Sequence, residues 1–427
     1  MLRNLLNLRD PDSCVHRPYT MYFKHAKGLR VTALMRRSLY FLDITTNYFW
    51  KNIVYYRWKR DSVIVSNKRS EKLIFFFVNF VLLPSFMLLP GGVLLVATFN
   101  RRIQLSFLEL FVSMVCVLYN LFVMALLSTA EGIVRDATTG WKALHELYKS
   151  IVGKLVKNTS YHGVDYVGIL LVVIVLVFLW GPYIVIFLLV TAGVPTPLNI
   201  LLHFAHPNMS HGVHLMIKLC LLFPAMEISR DFALILVSTT YAGIVWVSML
   251  CRVRADAVEA VGERHIERVR MNYRKLEILC GVFATYLRSV SFLLQSTAFI
   301  VLVGANFISV KFTFLPRWAH GGVVPLFWVF VAITTVTLMT LAAKPYVFSS
   351  QVKEILKERA NNCLSRKALL REVKALSPIK IYSGKSYNFF FFKPGTTVTF
   401  FERLAEYCVT FILSGDEIFW KVFHIKL

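Results

Sequence analysis

Seven separate stretches of this chain run for about twenty mainly apolar residues, at 73–98, 105–127, 165–191, 229–250, 285–308, 321–343 and 396–420, the last of them also holding Glu402, Arg403, Glu406, Asp416 and Glu417. Such a stretch has one dominant physical use. A helix of ~20 apolar residues crosses the ~30 Å hydrocarbon core of a bilayer with its backbone N–H and C=O groups bonded inside the helix. The third stretch, DYVGILLVVIVLVFLWGPYIVIFLLVT, is the strongest. The fourth apolar region is longer, 213–250, and Glu227, Arg230 and Asp231 interrupt it. We read its span as 229–250, with 213–228 as an outer or re-entrant extension. Composition agrees: 56% of the 427 residues are hydrophobic and 17% charged, where an ordinary soluble domain carries about 25% charged residues. The expected fold is all-α, a polytopic seven-helix membrane protein.

The formal charge of +24 is placed between the apolar runs rather than gathered in a nucleic-acid footprint, so no nucleic-acid partner is expected. With the N-terminus inside, the inner connections 128–164, 251–284 and 344–395 hold 5, 7 and 11 Lys and Arg, and the outer ones, 99–104, 192–212 and 309–320, hold 2, 0 and 2. Basic residues favour the cytoplasmic side. The sequence therefore predicts a cytoplasmic segment over 1–72, a membrane domain over 73–427, and a multi-pass protein of the plasma membrane. This orientation is opposite to that of G-protein-coupled receptors. The N-terminal residues contain no long apolar run or small-residue cleavage site, so no cleaved signal is expected. Of two sequons, Asn208-Met-Ser falls in an outer connection and is the glycosylation candidate, while Asn158-Thr-Ser falls inside.

The inner connections are not plain loops. Val258, Val261, Ile266, Val269 and Leu276 approximate helical spacing among charges, and QVKEILKERANNCLSRKALLREVKAL is rich in helix formers. Together they predict cytoplasmic helical extensions that form a small platform. The aromatic and basic stretch 31–60 could stack bases, but beside a first span it reads as an interfacial helix carrying an aromatic belt.

Chemistry-bearing patterns are few. Histidines 203, 206, 211 and 214 form H-x2-H-x4-H-x2-H, a density that could bind zinc or copper or titrate near neutral pH. A histidine-box oxygenase needs several such boxes, and no second one exists. The seven cysteines show no metal-type spacing, and no nucleotide-binding or hydrolase motif is present. The expectation is a non-enzyme without metal or cofactor. Glu227, Arg230 and Asp231 have ion-pair spacing; they are either intramembrane and functional or seated at the outer interface.

On a helix over 396–420, Glu402, Glu406, Thr410, Ser414 and Glu417 share one stripe, and Leu404, Cys408, Phe411 and Ile412 occupy the opposite face. A span with a polar side must turn it to protein or water. Several copies around an axis would line a pore, with acidic rings favouring cations.

Seven spans, an internal N-terminus, long inner fourth-to-fifth and sixth-to-seventh connections and the segment LSPIKIYSGKSYNFFFFKPGTTVTFFERLAEYCVTFILS (376–414) resemble the arthropod gustatory and odorant receptors. Tyr407 matches the tyrosine of the gustatory signature, whereas Glu406 stands in place of its Thr and Leu413-Ser414 in place of its Gln-Phe, which marks a divergent branch. The resemblance implies a ligand-gated, non-selective cation channel, a homo- or hetero-tetramer around the seventh helix. It implies a chemical ligand in the outer half of each subunit. It assigns Glu402, Glu406, Tyr407, Thr410, Leu413 and Ser414 to the pore, and Trp180, Tyr183, Gln295 and Trp328 to the ligand pocket. The alternative is a secondary transporter of a small organic solute, for which Pro90-Gly91-Gly92 and Gly181-Pro182 could break helices near the midplane.

Overall fold

The computed structural model describes residues 31–46, 53–100, 103–153, 165–191, 196–208, 210–311, 322, 324–363, 365–384 and 390–423. The sequon at Asn158 and most of the outer connection 309–320 lie outside them. Helix α1 (Ala33–Thr46) leads to an antiparallel hairpin of β1 (Val54–Arg57) and β2 (Ser62–Val65), with Val54 opposite Val65. The interfacial helix expected over 31–60 thus covers only α1 within the described residues. The hairpin follows from β-branched Val54, Val63, Ile64 and Val65 around a turn closed by Asp61, whose φ of 45° is left-handed. Its Tyr56 is fully buried and donates to the Asp61 carboxylate at 2.9 Å, while the Trp141 indole donates to the Asp61 carbonyl at 3.0 Å.

The long helices follow: α2 (Arg69–Phe99), α3 (Phe107–Val152), α4 (Tyr166–Thr191), the short α5 (Pro197–Ala205) and α6 (His211–Cys220), then α7 (Leu222–Glu259), α8 (Glu263–Lys311) and α9 (Val324–Asn361). Short α10 (Arg366–Lys374) and a two-residue hairpin, β3 (Tyr382–Ser383) with β4 (Phe390–Phe391), lead to the C-terminal α11 (Thr396–Phe423). Local sequence explains the starts. Ser106 and Glu109 form a reciprocal capping box on α3. The Asp165 carboxylate accepts from Gly168 N at 2.8 Å to begin α4, and a Cβ on Gly168 would run into that same carboxylate. In α2, Pro84 and Pro90 lack donors, and the helix continues through wide π turns at Phe77–Leu82 and Pro84–Leu88 rather than breaking. Helix α4 likewise runs unbroken through Gly181-Pro182.

Five helical runs among the described residues are long and apolar enough to cross a membrane: Arg69–Phe99, Tyr166–Ile184, His211–Glu259, Glu263–Phe307 and Pro325–Asn361. The runs at 105–127 and 396–420 lie in α3 and α11 and do not add to that number. Residues 213–228 form no separate crossing. They continue into α7 with one break, at Leu221.

At 38, 49 and 38 residues, α7, α8 and α9 are roughly 57, 74 and 57 Å long, far beyond a bilayer core. Their excess carries the basic connections. α7 turns into α8 through Ala260–Gly262, where Gly262 has φ +80°, a conformation that disfavours any side chain. Val253, Ile266, Tyr273, Val352, Leu356 and Val373 are buried there in the core that also fills the bundle. Cross-links tie the tips: Glu263 accepts from the Ser365 amide and hydroxyl at 2.7 Å each, Tyr273 donates to the Ser377 carbonyl at 2.7 Å, and Lys353 to that of Leu376 at 2.7 Å. The extensions therefore form one packed platform at the basic end of the bundle.

Candidate functional site

Helix α11 begins where Gly395 turns the chain: Thr396 N donates to Lys393 O at 2.9 Å, and Lys393 N to the Thr396 hydroxyl at 3.0 Å. Its apolar stripe decides how it docks. Leu404 and Cys408 are buried against Leu302 and Met339, and Phe411 and Ile412 pack on the cluster of Leu94, Leu105 and Phe307. Phe299 of α8 stands edge-on to Phe400 at 5.8 Å and to Tyr407 at 5.4 Å; farther along, Asn306 donates to Cys408 Sγ at 3.2 Å and Phe307 meets Phe411 at 4.8 Å. Rising residue numbers match rising numbers, so α11 runs parallel to α8. Its 28 residues span about 42 Å.

These pairs also fix depth. Between Arg288 and Lys311, α8 has no charged residue, and Phe299 stands at the middle of that stretch. Phe400 and Tyr407, both on Phe299, bracket Glu402, Arg403 and Glu406. So three charged side chains lie level with the middle of an apolar helix, and all three are exposed. Arg403 and Glu406 pair at 2.7 Å with their side chains 67% and 60% exposed. Tyr407, Thr410 and Leu413 are exposed beside them, Leu413 at 74%, and Ser414 is half-buried. The Thr410 hydroxyl donates to Glu406 O at 2.8 Å and that of Ser414 to Thr410 O at 2.5 Å. Their protons are thus used within the helix.

The second charged group lies at a similar level but is enclosed. Phe232 stacks on Phe178 at 6.0 Å, and Phe178 is midway along α4, which carries no charge. Glu227, Arg230 and Asp231 just precede Phe232 and are 3%, 6% and 6% exposed, with Arg230 Nη2 at 2.5 Å from Glu227 Oε1. They are therefore within the apolar layer of the bundle and not at its outer rim.

The four pocket residues expected from the resemblance are not brought together. Trp180, 57% exposed, and half-buried Tyr183 touch each other on α4 at 5.9 Å. Trp328 packs by the cluster around Leu302 and Phe400. Gln295 alone lines a cavity, of about 90 Å³, between α3, α7, α8 and α9. That cavity was invisible in the sequence, because its wall residues, such as Thr239, Trp246, Ser291 and Phe392, come from four distant segments and carry no motif.

Of the four loop histidines, His203 and His214 approach, with rings 6.4 Å apart, and Asn199 Nδ2 lies 3.2 Å from His214 Nδ1. His206 and His211 are exposed. No group of three or more His, Cys, Asp or Glu among the described residues is placed to hold a metal. Asn208 is exposed at the turn after α5.

No protein-family model matches the chain. No curated protein is significantly similar to it.

Proposed function

We propose that the chain is a subunit of a ligand-gated, non-selective cation channel of the plasma membrane, a chemosensory receptor with a cytoplasmic N-terminus and seven crossings, α3 and α11 completing the five most apolar helices. The observation that carries this reading is the exposure of Glu402, Arg403 and Glu406 at the mid-level of α8. Charges at that depth need water or protein around them. Several copies, four by the resemblance, meeting on the α11 face would supply both. The exposed acids would then attract cations.

Two experiments test the parts separately. In membrane patches stimulated by a panel of small organic compounds, Glu406→Lys is expected to reduce cation permeability and Leu413→Cys to make current sensitive to a thiol reagent; unchanged permeation and block in both rejects the α11 pore. For orientation, a glycosidase shift in eukaryotic cells is expected to vanish in Asn208→Gln. A shift that vanishes only in Asn158→Gln reverses the topology and removes the channel reading.

A further inference from the structure

The 90 Å³ cavity belongs to the basic half of the bundle. Along α8 its wall runs from Phe283 to Gln295, and Gln295 is one turn toward the basic end from the mid-level Phe299. By the charge rule this is the cytoplasmic half, away from the outer pocket that the resemblance implies. A water needs about 10–15 Å³ of such space, so the cavity has room for an organic molecule of several heavy atoms. Among the described residues, no charged one lines it.

Its few polar groups are unequal. Thr240 donates its hydroxyl to Leu236 O at 2.7 Å, Thr335 to Val331 O at 2.8 Å, and Thr239 is 3.3 Å from the Tyr286 hydroxyl. The Thr240 and Thr335 protons are consumed locally, and the Thr239 hydroxyl is paired with that of Tyr286. Gln295 Oε1 accepts from Ser383 Oγ at 3.5 Å, and its amide nitrogen has no partner among the described residues. Ser291 is one turn earlier on the same face of α8, and its hydroxyl has no partner among them either. Two hydrogen-bond donors thus stand side by side on a mostly apolar wall, the usual composition of a small-molecule site; the wall also holds the buried Trp246 indole N–H, without a partner among the described residues. Phe392, which closes the cavity from the other side, is four residues before the start of α11.

We propose that this cavity is a binding site for a small neutral carbonyl compound, a ketone or ester of six to ten heavy atoms. Its apolar body fills the space between Trp246, Phe283 and Met339, and its carbonyl oxygen accepts from Ser291 Oγ and Gln295 Nε2. The site is separate from the exposed face of α11; Met339 and Phe392 of its wall belong to the cluster that packs the buried stripe of that helix.

The test uses the full chain in detergent micelles with 4-fluoroacetophenone as the probe, followed by ¹⁹F line broadening across a concentration series. Saturable binding is expected, weakened about tenfold in Ser291→Ala/Gln295→Leu, the loss of roughly two neutral hydrogen bonds. Gly243→Val is the second variant. A Cβ there is in ordinary contact with Leu341, at 3.7 Å; binding is expected to fall, and a melting temperature measured on the same variant separates a filled cavity from a disturbed fold. Broadening that does not saturate, or that is equal in the wild type and both variants, is partitioning into the micelle and overturns the site. Because no current is measured, failure here leaves the pore reading standing, and loss of the pore reading leaves this one standing.

Discussion

Two groups of charged residues lie at the same level of the bundle and meet opposite fates. On α7, Glu227, Arg230 and Asp231 are almost wholly enclosed; on α11, Glu402, Arg403 and Glu406 are exposed. Both sets contain two acids and one arginine, and both hold an ion pair three residues apart, at 2.5 Å and 2.7 Å. What differs is the neighbours. Helix α7 is the centre of the bundle, packed against α1, α3, α4, α8 and α9, so its charges are part of one chain's interior. Helix α11 has one buried stripe and leaves the other open. The same chemistry is a folding device in one place and an unfinished surface in the other.

The largest expected effect comes from breaking the enclosed set. Arg230→Met leaves the Glu227 carboxylate buried without the guanidinium 2.5 Å away, which costs about 3–5 kcal/mol. The detergent-purified protein should melt at a much lower temperature or be lost as aggregate on size exclusion. Glu227→Leu/Arg230→Met removes both charges and should recover much of that loss. A single variant as stable as the wild type would show that the trio is not enclosed.

A pair of leucines on α11 sharpens the contrast within one helix. Leu404 is 3% exposed and Leu413 74%. Leu404→Ala should destabilise by ~2–5 kcal/mol, since it empties a packed site against Leu302. Leu413→Ala should leave the melting temperature of isolated subunits unchanged. If it instead weakens the assembled form on native gels, the open face is the surface that other copies cover. Equal effects of the two substitutions would mean that α11 has no distinct buried and open sides.

Much of this was legible in the sequence, and the reasons divide cleanly. Apolar length marks segments able to cross, because backbone hydrogen bonding in lipid allows few alternatives, and five of the seven read this way are long and apolar enough among the described residues. Spacing fixes the sides of α11, since Leu404 and Cys408 at i, i+4 share a helical face. The platform also announced itself, through the periodicity of Ile266, Val269 and Leu276. Depth was not legible. Whether Glu227 to Asp231 lay inside or at the rim depended on which ring meets Phe232, a contact with α4 more than fifty residues away. The hairpin at 54–65 was hidden for another reason. Its aromatic and basic residues match an interfacial helix in composition, and only the left-handed turn at Asp61 separates the two. The cavity carries no sequence signal, because the unused donors of Ser291 and Gln295 are defined by partners that other segments fail to provide.

The smallest expected effect extends the comparison from fixed charges to a titrating one. His145 is at the basic end of α3, 7% exposed, with its ring between Trp141 at 5.4 Å and Tyr241 at 6.0 Å. Burial pulls its pKa below the ordinary histidine value, and Lys149 adds to that, while the Asp61 carboxylate and a hydrogen bond with the Trp141 carbonyl oppose it. The folded protein therefore keeps this ring neutral at a pH where the unfolded chain binds a proton. That linkage leaves stability whole above about pH 6.5 and reduces it as the pH falls below that value. A melting series from pH 7.5 to 5 should show the decline, and His145→Phe should flatten the part due to this ring. His206→Asn/His211→Asn, which changes two exposed imidazoles, should leave the curve where it was. A curve altered by the exposed pair and untouched by His145→Phe would place the titrating group in the loop rather than the core, and would show that a buried position by itself does not make a charge structural in this molecule.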